Sequence, residues 1–322
     1  MSRLPPELER EIFENAALND TRTTLSLILV ARRTHIWCLP ALYRTIQVNP
    51  GQHKYETFKR ALVDTPWVAA GLRHIHFESV QDCNFAVCAS IVAACPNITS
   101  IGATNVFAGP SSLEAMSGLP NLRRLVVALY ELFDDTDASI DSTEPIAIDP
   151  RHPVFARVTH LSLHDNMGSQ QTPAICEALP GFPALTHLRL KLGMSPVSVR
   201  ILLGACPRLE VLLLTDQQHT VAAAETYPLE DPRLVWGDAG DNYSTFWASW
   251  LYGAMGNDDL WTVADEVVRK RKENPRPMYE VRWLQCPSLQ STSDGEQEEE
   301  EEHRDEDLGI SGLFINDSDD DE

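Results

Sequence analysis

The chain has 322 residues, 43% of them hydrophobic, enough to bury a sizeable core in one or two domains, and a formal net charge of −21. Residues 291–322 hold fifteen Asp or Glu against one Arg, so the acidity belongs largely to a tail. No basic region precedes an apolar run at the N-terminus and Leu25 to Ala31 is too short to span a bilayer, so an intracellular protein, cytoplasmic or nuclear, is expected, with no membrane and no nucleic acid among its partners.

In chain order, the first predicted element starts at Pro5 and Pro6, residues suited to the first turn of a helix. Glu7, Glu9 and Glu11 put negative charge at the positive end of its dipole. Leu8 and Ile12, four apart with Phe13 beside them, form an apolar stripe. A second apolar run, Leu25 to Ala31, closes with Arg32 and Arg33, and a third element carries Trp37, Leu39, Leu42, Tyr43 and Ile46. Three short helices in under fifty residues bury little surface alone, so they lean on a partner or on the rest of the chain.

Leu4 to Val48 resembles an F-box. The match to L-P-x-E-L-x-x-x-I-F falls at Leu4, Pro5, Glu7, Leu8, Ile12 and Phe13, and Leu-Pro-Ala-Leu-Tyr-Arg at 39–44 is similar to the end of fungal F-boxes. The resemblance implies docking on the Skp adaptor of a cullin-RING ubiquitin ligase. It makes Leu4, Pro5, Leu8, Ile12, Val30 and Trp37 adaptor-facing and Phe13, Leu42 and Tyr43 internal.

From residue 72 a phrase repeats. Cys-Pro-Asn-Ile-Thr-Ser-Ile begins at 95, Leu-Pro-Asn-Leu-Arg-Arg-Leu at 119, Phe-Pro-Ala-Leu-Thr-His-Leu at 182 and Cys-Pro-Arg-Leu-Glu-Val-Leu at 206, with weaker copies at Leu72 and Val158. The anchors Leu72, Ile98, Leu122, Val158, Leu185 and Leu209 recur at intervals near 25, and the phrase resembles the leucine-rich repeat. The long gap holds an acidic stretch at about 134–153, read as an inserted loop. Helices are predicted at Phe85 to Ala94, Ser111 to Gly118, Pro173 to Leu179 and Ser195 to Ala205.

Strand alternation then sorts the side chains. Leu161, Leu163, Leu188 and Leu190 point inward. The alternate set is read as an open strand-side surface: His74, His76 and Glu78, Ser100 and Thr104, Arg124 and Val126, His160, Ser162 and His164, His187, Arg189 and Lys191, Val211, Leu213 and Thr215. Its basic, histidine-rich members (His74, His76, Arg124, His160, His164, His187, Arg189 and Lys191) are candidates for an acidic or phosphorylated client, and an ordinary solvated strand surface is the alternative.

Catalysis is not expected. Ser162 and its flanking histidines stand roughly 6 to 7 Å apart at about 3.3 Å per residue, too far for a hydrogen-bonded relay. No G-x-S-x-G, H-E-x-x-H, phosphate loop or dinucleotide fingerprint is present. Seven cysteines without a C-x-x-C pair argue against disulfides and zinc, and Cys95 and Cys206 read as buried thiols. No metal, cofactor or small-molecule substrate is implied.

Beyond Thr215 the repeat fades, although Asp231-Pro-Arg-Leu-Val-Trp236 begins like a seventh unit before Gly237. Tyr243, Phe246, Trp247, Trp250, Tyr252 and Trp261 follow, then a helix started by Asp258 and Asp259 and ended by Arg269 to Lys272. Tyr279, Val281 and Trp283 alternate as a strand. The order of these features resembles the end of fungal F-box-like proteins. In the acidic tail Leu313, Phe314 and Ile315 resemble a SUMO-interacting motif and Ser318 a site for acidophilic kinases, against the alternative of a plain solubilising tail.

The fold expected is therefore α/β: a three-helix F-box at 1–48, a leucine-rich-repeat solenoid at 49–220, a Trp-rich cap at 221–286 and a disordered tail at 287–322. The expected function is the substrate-recognition subunit of a Skp-cullin-F-box ubiquitin ligase. The alternative is an F-box-like scaffold outside any ligase.

Overall fold

The computed structural model describes residues 4–19, 21–48, 53–77, 84–103, 107–133, 146–191, 193–216, 227, 230–238 and 243–274. Glu78, Thr104, most of the inserted acidic stretch, the strand expected at Tyr279 to Trp283 and the Leu313, Phe314, Ile315 and Ser318 motifs lie outside the described residues.

Three helices open the chain: α1 (Pro6–Asn19), α2 (Thr21–Leu27) and α3 (Arg32–Leu42). The second ends earlier than its apolar run suggested, because Thr34 sets a new start. Its hydroxyl accepts from the Ala31 N–H at 3.0 Å and donates to the Ala31 carbonyl at 2.7 Å, so the chain turns before Arg32. Thr24, buried, ties α2 to α1 by donating to the Ala17 carbonyl at 2.6 Å.

The body then alternates: β1 (Thr45–Val48), α4 (His53–Asp64), α5 (Pro66–Gly71), β2 (His74–Phe77), α6 (Phe85–Ala94), β3 (Ser100–Ala103), α7 (Pro110–Ser117), β4 (Arg124–Val127) and α8 (Leu129–Phe133). It continues through β5 (His160–Leu163), α9 (Thr172–Ala178), β6 (His187–Lys191), α10 (Pro196–Ala205), β7 (Val211–Asp216) and β8 (Leu234–Asp238). Two helices end the described chain, α11 (Tyr243–Ala254) and α12 (Leu260–Glu273). Helix starts follow local chemistry: Asn84 accepts from Val87 N–H to cap α6, and Ser195 accepts from Ser198 N–H beside Pro196 to cap α10.

The expected fold, a three-helix F-box followed by a leucine-rich-repeat solenoid with a Trp-rich cap, is overturned. All eight strands form a single parallel open sheet in the order β1 to β8. Its first strand comes from the end of the segment read as a separate helical domain, with Thr45 opposite His74 and Val48 opposite Phe77. Its last comes from the segment read as a cap, with Leu212 opposite Leu234 and Asp216 opposite Asp238. Gly237, expected to stop the strand, lies inside it, where an added Cβ would sit 2.9 Å from Leu213 Cδ1. The repeated phrase misleads for a physical reason. It encodes the close of a helix and one strand with a buried face, a unit that any parallel sheet with intervening helices requires.

A carbonyl before each strand carries the repetition. The oxygens of Arg44, Arg73, Thr99, Arg123, Thr159 and Thr186 each accept two N–H groups from the start of the next strand, as in Arg123 and Arg124 to Thr99. The main core lies between the sheet and the helices α4 to α10, and all six anchors, Leu72, Ile98, Leu122, Val158, Leu185 and Leu209, are buried in it. Cys95 and Cys206 are buried there, with thiol pKa values raised to about 11 by burial. Among the described residues strand order never reverses, so the sheet lacks the crossover point at which open α/β sheets build nucleotide sites. No helix among them is long and apolar enough to cross a membrane.

Candidate functional site

The second face of the sheet is where the sequence placed a client surface, and it is largely covered. α11 crosses it from β6 towards β1: Phe246 meets Arg189, Trp247 meets His76 and Gly102, Trp250 meets His74, and the Ala254 carbonyl accepts from the Thr45 hydroxyl at 3.3 Å. α12 returns from β4 to β8, with Leu260, Trp261, Ala264 and Val268 packed on Val211, Leu213 and Val235. Arg271 then donates to the Leu234 carbonyl.

His76, Ser162, His187 and Arg189 are buried beneath these helices, while His74, Arg124, His160 and His164 are partly buried and Lys191 is exposed. Val126, Val211 and Leu213, grouped with the open surface from sequence, are core residues of this second layer.

Aromatic stacking organises the polar groups. His76 lies flat on Trp247, ring centroids 3.5 Å apart and 18° between planes. Gly102 makes that approach possible, since a Cβ there would fall 2.4 Å from the Trp247 ring. His160 and His187 stack at 4.0 Å, and Trp261 presents an edge-on ring to both. Their Nδ1 atoms pair with the neighbouring Thr159 and Thr186 hydroxyls at 2.9 and 2.8 Å, and His187 Nε2 meets Asp265 at 2.9 Å.

Asp259 does two jobs. It caps α12 by accepting from Thr262 N–H at 2.9 Å, and it pairs with Arg124 at 2.7 Å.

Burial, helped by nearby Arg44, Arg124 and Arg73, pulls the His74 pKa down to about 3. Burial brings His76 and His160 to about 3 and His164 to about 2, with Arg189 and Lys191 adding to the last. These rings are neutral at pH 7. Asp165 moves the other way, to about 6, because burial outweighs the N–H donors of Leu129 and Tyr130 at 2.8 and 2.9 Å.

Such rings are structural members of an interface, spent on stacking and on local hydrogen bonds. Among the described residues no group of three His, Cys, Asp or Glu is placed to hold a metal ion. The signals for this covering were in the sequence: three apolar residues and a glycine on a face expected to be polar, and six aromatics gathered at 243–261.

At the N-terminal helices the placement differs. Leu4 (57%), Leu8 (48%), Ile12 (54%) and Val30 (64%) are exposed, as is Pro5. Trp37 is not on that stripe. It is partly buried in the helical head, 6.5 Å from the Phe13 ring, against a cluster that includes Phe13, Leu42, Ile28 and Cys38. Tyr43 packs on the main core.

The class defined by these observations is an α/β protein with one parallel sheet, a helical head at one end and a helical hairpin across its second face. A scan against protein-family models finds no match to the chain, and a search of curated proteins finds none either.

Proposed function

We propose that the chain acts as a substrate-recognition subunit of a Skp-cullin-F-box type ubiquitin ligase, working inside the cell without catalysis of its own. The N-terminal helices, which resemble an F-box, would dock on the Skp-type adaptor, and the α/β body would hold a client protein. Ubiquitin transfer would gain from proximity: a held client sees a raised local concentration of the charged enzyme.

One observation carries the reading. Among the described residues, seven of the fourteen exposed large apolar side chains belong to the first 36: Leu4, Leu8, Ile12, Leu25, Leu29, Val30 and Ile36. Exposed apolar surface concentrated this way favours a protein partner. On the client side, Lys191 and the accessible part of Arg124 are the cations of the sheet face still open to an acidic client.

Co-purification with a Skp-type adaptor tests it, comparing the intact chain with a Leu8→Asp, Ile12→Asp variant. Stoichiometric capture by the intact chain, lost in a variant of unchanged thermal stability, is the expected result. No capture by the folded intact chain sinks the ligase reading and leaves a scaffold outside any ligase.

A further inference from the structure

Arg189 stands in the middle of β6, under α11, and is 2% exposed. A buried guanidinium needs acceptors for its five donors or a carboxylate to balance its charge. Its Nε and Nη1 have no hydrogen-bond partner, and among the described residues no carboxylate pairs with it. The Phe246 ring lies 4.0 Å from its central carbon, which offsets part of the desolvation but supplies no acceptor.

Burial lowers its pKa to about 9, so it remains a cation at neutral pH. The surroundings add to the imbalance. Lys191 is the next residue along the same face, and the Asp165 carboxylate is occupied by two backbone N–H groups at the start of α8.

Arg189 lines a cavity of about 30 Å³ between the sheet and the α11–α12 hairpin, together with Ser162, Ser249, Val126 and Phe246; the Asp259 carboxylate that also lines it is taken up by Arg124 at 2.7 Å. Both serines are buried and carry hydroxyls able to donate. A single water needs roughly 10 to 15 Å³ by this measure, so the cavity has room for two or three waters or one small ion.

We propose that this cavity is a binding site for a monoatomic anion of chloride size, held by the Arg189 guanidinium and lined by the Ser162 and Ser249 hydroxyls. The ion supplies the missing negative charge and acceptor, and it locks α11 to the sheet. The site is independent of the proposed adaptor docking, which involves α1 to α3.

Thermal unfolding of the full chain at fixed ionic strength, with chloride or bromide exchanged for gluconate, tests the proposal. The halides should raise the midpoint saturably, by at least about 2 °C, where gluconate does not. Arg189→Met, similar in length and uncharged, should lose that dependence while keeping the circular dichroism of the parent. Identical stability in chloride and gluconate overturns the site, as does a halide effect that persists in Arg189→Met. Should that variant fail to fold, bromide-soaked crystals of the unaltered protein decide. An anomalous peak within hydrogen-bonding reach of Arg189 supports the site, and peaks only elsewhere overturn it.

Discussion

The two faces of the sheet are built from different chemistry. On one, Leu, Ile, Val and Phe pack against α4 to α10 in a continuous aliphatic core. On the other, histidines, Arg124, Arg189 and buried serines lie under a Trp-rich hairpin. The first face needs only apolar area removed from water. The second buries polar groups whose cost depends on pairing and fixed geometry, so it responds to perturbations that the first ignores.

Acid should break that parity most strongly. His74, His76, His160 and His164 have folded pKa values of about 2 to 3 against an ordinary 6.5. Above pH 6.5 both folded and unfolded states hold them neutral, so they give no pH dependence. Below it the unfolded chain takes up protons first, and stability falls until the folded values are reached near pH 3, by up to about 1.4 kcal/mol per pH unit for each ring. Asp165, raised to about 6, opposes this: between pH 6 and its ordinary 3.8 the folded state binds the proton and gains stability. Four groups against one leave a net loss of roughly 5 kcal/mol between pH 6.5 and 5, measurable as a falling urea midpoint.

Next in size is Trp247→Ala, which should cost about 3 to 4 kcal/mol by emptying the space over Gly102 and unstacking His76. Leu188→Ala, from the aliphatic face, should cost about 3 kcal/mol. Urea titrations at pH 7 and pH 5.5 sharpen the contrast. The Leu188 loss should be the same at both, while the Trp247 loss should shrink at the lower pH, where hydrated His76 charges more easily.

The smallest effect expected is Asp259→Ala, about 1 to 2 kcal/mol from a lost cap and a lost partner for Arg124. In a double-mutant cycle with Arg124→Gln the coupling should be under about 1 kcal/mol, because Arg124 is partly exposed.

How much of this was legible in the sequence differs between the faces in the same way. The helix predicted at Phe85 to Ala94 is α6, and the inward residues Leu161, Leu163, Leu188 and Leu190 are fully buried, because period-2 and period-3.6 patterns report burial directly. The repeat period could not report what closes the other face, since that depends on a segment outside the repeat. Val126, Val211 and Leu213 were misplaced on a solvated surface for that reason. Trp37 differs from the α1 stripe for a related reason: the stripe is a local pattern, whereas the position of Trp37, partly buried beside Phe13, is set by how α3 crosses α1. The solenoid fold failed because the membership of β1 and β8 in one continuous sheet is fixed by backbone pairing, which strand periodicity alone does not report.

The bond from the Thr45 hydroxyl to the Ala254 carbonyl joins residues 209 apart in the chain. The eight strands are added in chain order, each beside the last, so the sheet can assemble progressively while the polypeptide is being synthesised. The hairpin is made after all eight strands and touches strands from first to last. Until it emerges, a strip of histidines and apolar residues is exposed to solvent and to other nascent chains. Its arrival converts a row of neighbour-to-neighbour contacts into one cooperative unit, so a ribosome stalled before residue 243 would leave the product vulnerable to proteolysis and aggregation.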